Sequence, residues 1–204
     1  MKGFFIKTEV EEFDTFEQFA KEAGLGSDDL VFCGEHTYND YVKPLGVEVQ
    51  TLFRDRYSKG EPVDSEVDAI LDVCRNKKFG RIIAIGGGTV IDIAKLIAVA
   101  KPEYNVDDLY DNAAELKKHH QLVAIPTTCG TGSEVTNISV VNRVSKGVKM
   151  GLAIDAMLPD KAVMITNMLD SLPYKIFATS SIDAMVHSVE SFLSPNGCSI
   201  SRIF

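Results

Sequence analysis

Arg81-Ile82-Ile83-Ala84-Ile85-Gly86-Gly87-Gly88-Thr89 is the stretch that decides the fold. Ile82 to Ile85 are apolar whichever way they face, as expected for a strand buried on both sides of a parallel sheet. Three glycines stop that strand, and from Thr89 to Ala100 the apolar residues fall at helical spacing. Gln121-Leu122-Val123-Ala124-Ile125-Pro126 then supplies a second buried strand. Strand, glycine loop, helix and strand in this order predict an α/β fold with a doubly wound, mostly parallel sheet of Rossmann-like type.

The same alternation extends outward. Before the glycine loop, Asp29 to Gly34 is a short apolar run closed by glycine, and Glu48 to Phe53 alternates. Val63, Val67, Ile70, Leu71 and Cys74 form the stripe of a helix running to Lys77. After Pro126, Asn137–Asn142 and Gly147–Ala153 flank Ser145-Lys146-Gly147, which predicts a hairpin. Ala162 to Thr166 reads as one more strand. From Pro173 the pattern is helical, with Ser181 as N-cap and Ile182, Met185, Val186, Val189 and Phe192 along one face. Residues 1–171 are therefore expected to form one α/β domain. Residues 172–204 are expected to begin a second, helical one, of which about thirty residues are too few to bury a core of their own.

Composition narrows the function. The chain has 204 residues, 45% hydrophobic and 25% charged, an ordinary globular balance. Its net charge is −8, so it gains nothing from releasing phosphate counterions, and nucleic acid is not an expected partner. Its longest apolar runs are too short to span a bilayer. Met1-Lys2-Gly3-Phe4-Phe5-Ile6 leads into acidic residues rather than a long apolar run and a cleavage site, so no signal peptide is expected and the location is read as cytoplasmic. Cys33, Cys74, Cys129 and Cys198 are widely spaced with no CxxC pair, which points to reduced thiols.

Three stretches carry chemistry. Gly86, Gly87, Gly88 and Thr89, with Asp92 in the turn that follows, lie where glycines admit a bound group to the backbone and a helix N-terminus offers amides to an anion. A tight strand-to-helix turn is the plainer alternative, and Lys95 also reads as solvated helix surface. Pro126-Thr127-Thr128-Cys129-Gly130-Thr131-Gly132-Ser133-Glu134 follows the next strand with four hydroxyls and two glycines, suited to phosphate and ribose oxygens but also common in ordinary loops. Two such loops at the ends of successive strands mark the edge where open α/β sheets bind ligands. Asp183 and His187 are four residues apart, so one helix face presents both, as two ligands of a shared metal ion would require. Asp183 near a helix start also has a dipole explanation. His36, His119 and His120 form no cluster with this pair and are expected to be solvated.

Together these motifs resemble the iron-containing alcohol dehydrogenase family, whose fold is the dehydroquinate synthase-like one. The family's GGGSxxDxAK pattern is similar to Gly86–Lys95, with Thr89 for Ser. Its PTTxGTGSE pattern matches Pro126–Glu134. Its GxDAxxHxxE pattern matches Ile182–Glu190, with Ser181 where Gly is usual. The resemblance covers the chain from about Asp29. The stretches Ile125–Val140, Ser171–Phe177 and Thr179–Asp183, and Gly60-Glu61-Pro62, look most like the branch acting on 4-hydroxybutyrate.

The resemblance implies roles. Gly87, Gly88 and Thr89 would hold the NAD pyrophosphate, with Gly86 and Asp92 of the same motif also among the cofactor-binding residues. Thr127, Thr128, Thr131 and Ser133 would line the adenosine and nicotinamide side, and Lys149 would be a cofactor-contacting lysine after the hairpin turn. Asp55, between Arg54 and Arg56, is a candidate ribose-reading acid that would favour NAD over NADP. Asp183 and His187 would bind a divalent metal, iron or else zinc. The reaction implied is reversible hydride transfer between NAD and a small alcohol, 4-hydroxybutyrate with succinic semialdehyde. A 1,3-propanediol, butanol or methanol substrate, or a non-catalytic NAD-binding fragment, are the alternatives. An alcohol with a pKa near 15.7 costs about 12 kcal/mol to ionise at pH 7, which no side chain supplies alone. The family's two further histidine ligands fall beyond Phe204, so the chain is expected to hold metal weakly and turn over little, and the full-length protein is expected to be a homo-oligomer.

Overall fold

Six parallel strands make one sheet in the computed structural model, which describes residues 6–57, 60–170 and 172–202. Residues 1–5, 58–59, Ser171 and residues 203–204 lie outside the described residues, and with them the leader expectation from Met1, the Ser171 motif position and the outermost residues of both expected domains. The strands of the sheet are β1 Glu9–Phe13, β2 Asp29–Cys33, β3 Gln50–Phe53, β4 Arg81–Gly86, β5 Gln121–Pro126 and, after a separate hairpin of β6 Ile138–Arg143 and β7 Val148–Ala153, β8 Lys161–Ile165. The helices are α1 Phe16–Glu22, the single turn α2 Glu35–Thr37, α3 Asp64–Arg75, α4 Gly88–Val99, α5 Val106–Asp111 and α6 Tyr174–Leu193.

Strand order is β1-β8-β5-β4-β2-β3. The chain winds outward from β2 to β3, then returns to β4 and winds the other way, so the sheet changes direction between β2 and β4. Crevices beside such a reversal, at the carboxyl ends of the strands, are where open α/β sheets bind ligands. Gly34, Gly86 and Pro126 all lie at that end, with Cys33 paired to Ile85 and Gly86 to Pro126.

The expected doubly buried strands are present. Ile82 and Ala84 of β4 pack on α3 and α4, while Ile83 and Ile85 pack on the opposite layer with Phe16 and Phe19 of α1. All four are fully buried. At the other end of the strands, Asp29 is 3% exposed and is met by Arg81 through Nε–Oδ1 at 2.6 Å and Nη2–Oδ2 at 2.9 Å. The same arginine donates to the Ala23 carbonyl at 3.0 Å, and Asp29 also accepts the Gly26 amide at 2.8 Å.

Two expectations need correction. Ser181 does not cap the last helix, because α6 begins at Tyr174, with Pro173 as its cap residue. The hydroxyls there turn back onto their own helix: Thr179 Oγ1 donates to the Lys175 carbonyl at 2.9 Å and Ser180 Oγ to that of Phe177 at 3.1 Å. Bonded that way, serine and threonine continue a helix instead of starting one. His120 is also not simply solvated. Its ring lies 4.3 Å from that of Phe79, its Nδ1 is buried without a hydrogen-bond partner, and burial lowers its pKa.

Candidate functional site

Two loops meet at the carboxyl end of β4 and β5. Gly87 is the N-cap residue of α4, and no side chain caps that helix, so its first amides face outward in the way an anion site needs. A Cβ on Gly87 would lie 3.2 Å from Thr128 Oγ1, and one on Gly88 would lie 2.9 Å from Thr131 Cγ2 and 3.2 Å from Ser133 Oγ. The glycines thus let the hydroxyl-rich loop close directly onto the helix start. At Gly86 a Cβ would collide with Val90, 2.6 Å away, and the Gly86 carbonyl accepts the Thr127 amide at 3.1 Å.

A cleft of about 530 Å³ opens beside this junction. Gly88, Thr89 and Asp92 line it from α4, and Thr131 and Ser133 from the second loop. Lys149 reaches it from β7 and forms an ion pair with Glu61 at 2.8 Å. Asp183 and His187 of α6 close the far side, with Oδ2 and Nδ1 3.8 Å apart. Gly86, Gly87, Thr127 and Thr128 stand behind the cleft or next to it. Thr128 lines a second cavity of about 370 Å³ with Cys129, Gly130 and Leu169.

The structure changes the meaning of three of these residues. Asp183 is the tenth residue of α6, so a helix dipole no longer accounts for it. Asp92 lies past the first turn of α4, and its Oδ2 accepts the Val140 amide at 3.2 Å. Lys95 is not solvated surface; it is fully buried. Burial pushes the Asp92 carboxyl up and the Lys95 ammonium down, each opposed by the charge of the other. Thr136, Ile138 and Val140 on the hairpin's side of the cleft lie outside the three site motifs, and only the fold brings them beside Lys149.

A carboxylate and an imidazole on one helix face suit a divalent cation. They amount to two ligands, and among the described residues no cluster of three or more His, Cys, Asp and Glu side chains is assembled. The uncapped α4 start and the glycine–hydroxyl junction fit a dinucleotide phosphate.

Asp55 occupies a telling place. A Cβ on Gly34, at the end of β2, would lie 3.1 Å from Asp55 Oδ2, which accepts the Glu35 amide at 2.8 Å. The carboxylate therefore fills the room that a side chain at the tip of β2 would take. Its flanking arginines are engaged elsewhere: Arg54 with the Gly60 carbonyl, and Arg56 with Glu35 at 3.5 Å and the Phe53 ring at 4.8 Å.

Cys129 gives a direct check on the loop. Ser180 and Ser181 hydroxyls lie 3.6 and 3.8 Å from its sulfur and lower its pKa. Burial pushes Cys33 and Cys74 up to about 12. Since the thiolate is the nucleophile, iodoacetamide at about pH 8 is expected to label Cys129 well before Cys33 or Cys74, read by peptide mass mapping. Labelling of Cys74 at the same rate would contradict this loop geometry.

A model of the family described as iron-containing alcohol dehydrogenase matches residues 6–166. The 4-hydroxybutyrate dehydrogenase of Clostridium kluyveri is 37% identical over 204 residues, which is 100% of this chain and 55% of the relative. The crystal structure of an iron-containing alcohol dehydrogenase from Thermotoga maritima superposes with a TM-score of 0.84 at 26% identity, covering 100% of this chain and 58% of that one. A sulfoacetaldehyde reductase from Bifidobacterium kashiwanohense, solved in complex with NAD+, shares the fold with a TM-score of 0.79 at 23% identity, over 96% of this chain and 54% of that one. The chain spans about half the length of these relatives. With its family model matched over most of its length, the chain belongs to the iron-containing alcohol dehydrogenases.

Proposed function

We propose that the chain is the nucleotide-binding part of an NAD-dependent alcohol dehydrogenase that interconverts 4-hydroxybutyrate and succinic semialdehyde. The observation that carries this is the convergence of an uncapped helix start, a glycine–hydroxyl junction and the Asp183–His187 pair on one cleft. The substrate rests on the whole-chain similarity to the Clostridium kluyveri enzyme. Residues 172–204 are read as the start of a second, helical domain.

In this reading the amides at Gly88 and Thr89 bind the pyrophosphate, and Thr128, Thr131 and Ser133 give hydroxyls to the dinucleotide. Lys149 leaves Glu61 to meet it, while Asp183 and His187 are two of the ligands of a divalent metal, iron or zinc. When bound, NAD takes up or gives the hydride and the metal stabilises the alkoxide oxygen. The chain's own residues bind, orient and wall off that chemistry. NADH oxidation by the full-length protein with succinic semialdehyde, run anaerobically with ferrous iron, tests the reading. Turnover preferring succinic semialdehyde over butanal and 3-hydroxypropanal supports it. Preference for one of those aldehydes moves the assignment to a butanol or 1,3-propanediol branch.

The place of Asp55 supports NAD over NADP, because a carboxylate at the tip of β2 repels a 2′-phosphate. Asp55→Asn is expected to raise affinity for NADPH relative to NADH by roughly tenfold in a fluorescence titration. An unchanged ratio would remove Asp55 from cofactor selection.

A further inference from the structure

Lys95 is the single fully buried lysine among the described residues, and it is not itself among the residues lining the cleft. An ammonium has three N–H donors. Here each finds an acceptor: the Ile138 carbonyl at 2.7 Å, Thr136 Oγ1 at 3.2 Å and Asp92 Oδ1 at 3.4 Å. Two of those partners belong to the approach and first residue of β6, and the third belongs to α4 itself. Asp92 extends the link, since its Oδ2 accepts the Val140 amide and its side chain also bonds to Ser133. Ser139, fully buried, donates from Oγ to the Asp92 main-chain carbonyl at 2.9 Å.

Every group this network holds on its outer side lines the cleft: Asp92, Ser133, Thr136, Ile138 and Val140. The far end of β6 is tied separately, through the Arg143–Asp107 ion pair and the Asn142 amide on the Pro62 carbonyl. The near end, beside the glycine loop, is tied to α4 through Lys95, Asp92 and Ser139. A charge buried this deeply is costly, and it persists only where its hydrogen bonds are all made. We propose that Lys95 is a positioning residue for the dinucleotide: from behind the cleft it clamps the β6–β7 hairpin to α4 and fixes the wall that carries Lys149. This rests on the reading of the cleft as the NAD site.

The test uses Lys95→Met, which keeps the stem and removes the charge, and Ser139→Ala, a small change that keeps the fold where the first variant fails to. NADH affinity is read by fluorescence titration and hairpin order by hydrogen–deuterium exchange over residues 136–143. Lys95→Met is expected to weaken NADH at least tenfold and Ser139→Ala about threefold, with faster exchange of the Val140 amide in both. A change in global stability alone would leave the exchange of this hairpin in step with that of the six-stranded sheet. NADH affinity within twofold of the parent in Ser139→Ala, with unchanged Val140 exchange, overturns the clamp. Should the parent chain itself bind no NADH, the NAD reading fails, and the exchange data alone still decide whether Lys95 and Ser139 hold the hairpin.

Discussion

On the proposed dehydrogenase reading, Gly130→Ala is expected to cut kcat/KM by about a hundredfold with the fold intact. The residue has φ +135°, a backbone conformation that side chains rarely adopt. An added Cβ would also drive into the Ser180 carbonyl of α6, with the Ser180 carbonyl carbon at 3.0 Å and the Ala184 Cβ at 3.4 Å. These are backbone and near-backbone atoms, so no rotamer relieves the clash. The helix must slide or tilt, and Asp183 and His187 travel with it while Thr131 and Ser133 stay with the sheet. An error of about 1 Å between bound cofactor and reacting group is enough for a loss of this size. Steady-state kinetics on the full-length variant check it, together with NADH titration, which should change far less. A variant within threefold of the parent would show that α6 does not depend on this contact for its place.

Arg81→Met is expected to destabilise the domain by about 3 kcal/mol. The cause is what it leaves behind. Asp29 is 3% exposed, and loss of the guanidinium leaves its charge with the Gly26 amide and little else. Breaking a buried pair from one side costs more than the pair itself contributes. Replacing both partners, as in Asp29→Leu with Arg81→Met, should therefore recover part of the loss. Urea unfolding followed by circular dichroism measures both. A single variant within 1 kcal/mol of the parent would mean that water reaches Asp29.

The centre of the sheet could be read from the chain because β4 and β5 are apolar on both faces and end in glycine or proline, a pattern that solvent does not tolerate elsewhere. The glycine loop, the hydroxyl loop and the Asp183–His187 spacing were equally plain, being contiguous. What stayed hidden was set by partners far away in sequence. β1 reads as polar surface, since Glu9, Glu11 and Glu12 sit on an edge strand whose register only β8 supplies. Lys95 has the sequence appearance of a solvated helix residue, and only the return of Thr136 and Ile138 buries it. Ser181 looks like a cap by residue type, yet the hydroxyls around it are spent on the preceding turn.

The pairing of β1 with β8 also constrains how the molecule is made. Lys161 and Glu11 meet across 150 residues of chain. During synthesis the first strand emerges with nothing to pair to, and it must wait until β8 has left the ribosome. Its acidic, half-exposed face keeps it soluble in that interval, where an apolar strand would invite aggregation. Closing so long a loop comes late and slowly, because its entropy is lost before any of its contacts form. The edge strand should therefore be the last part of the sheet to dock in folding.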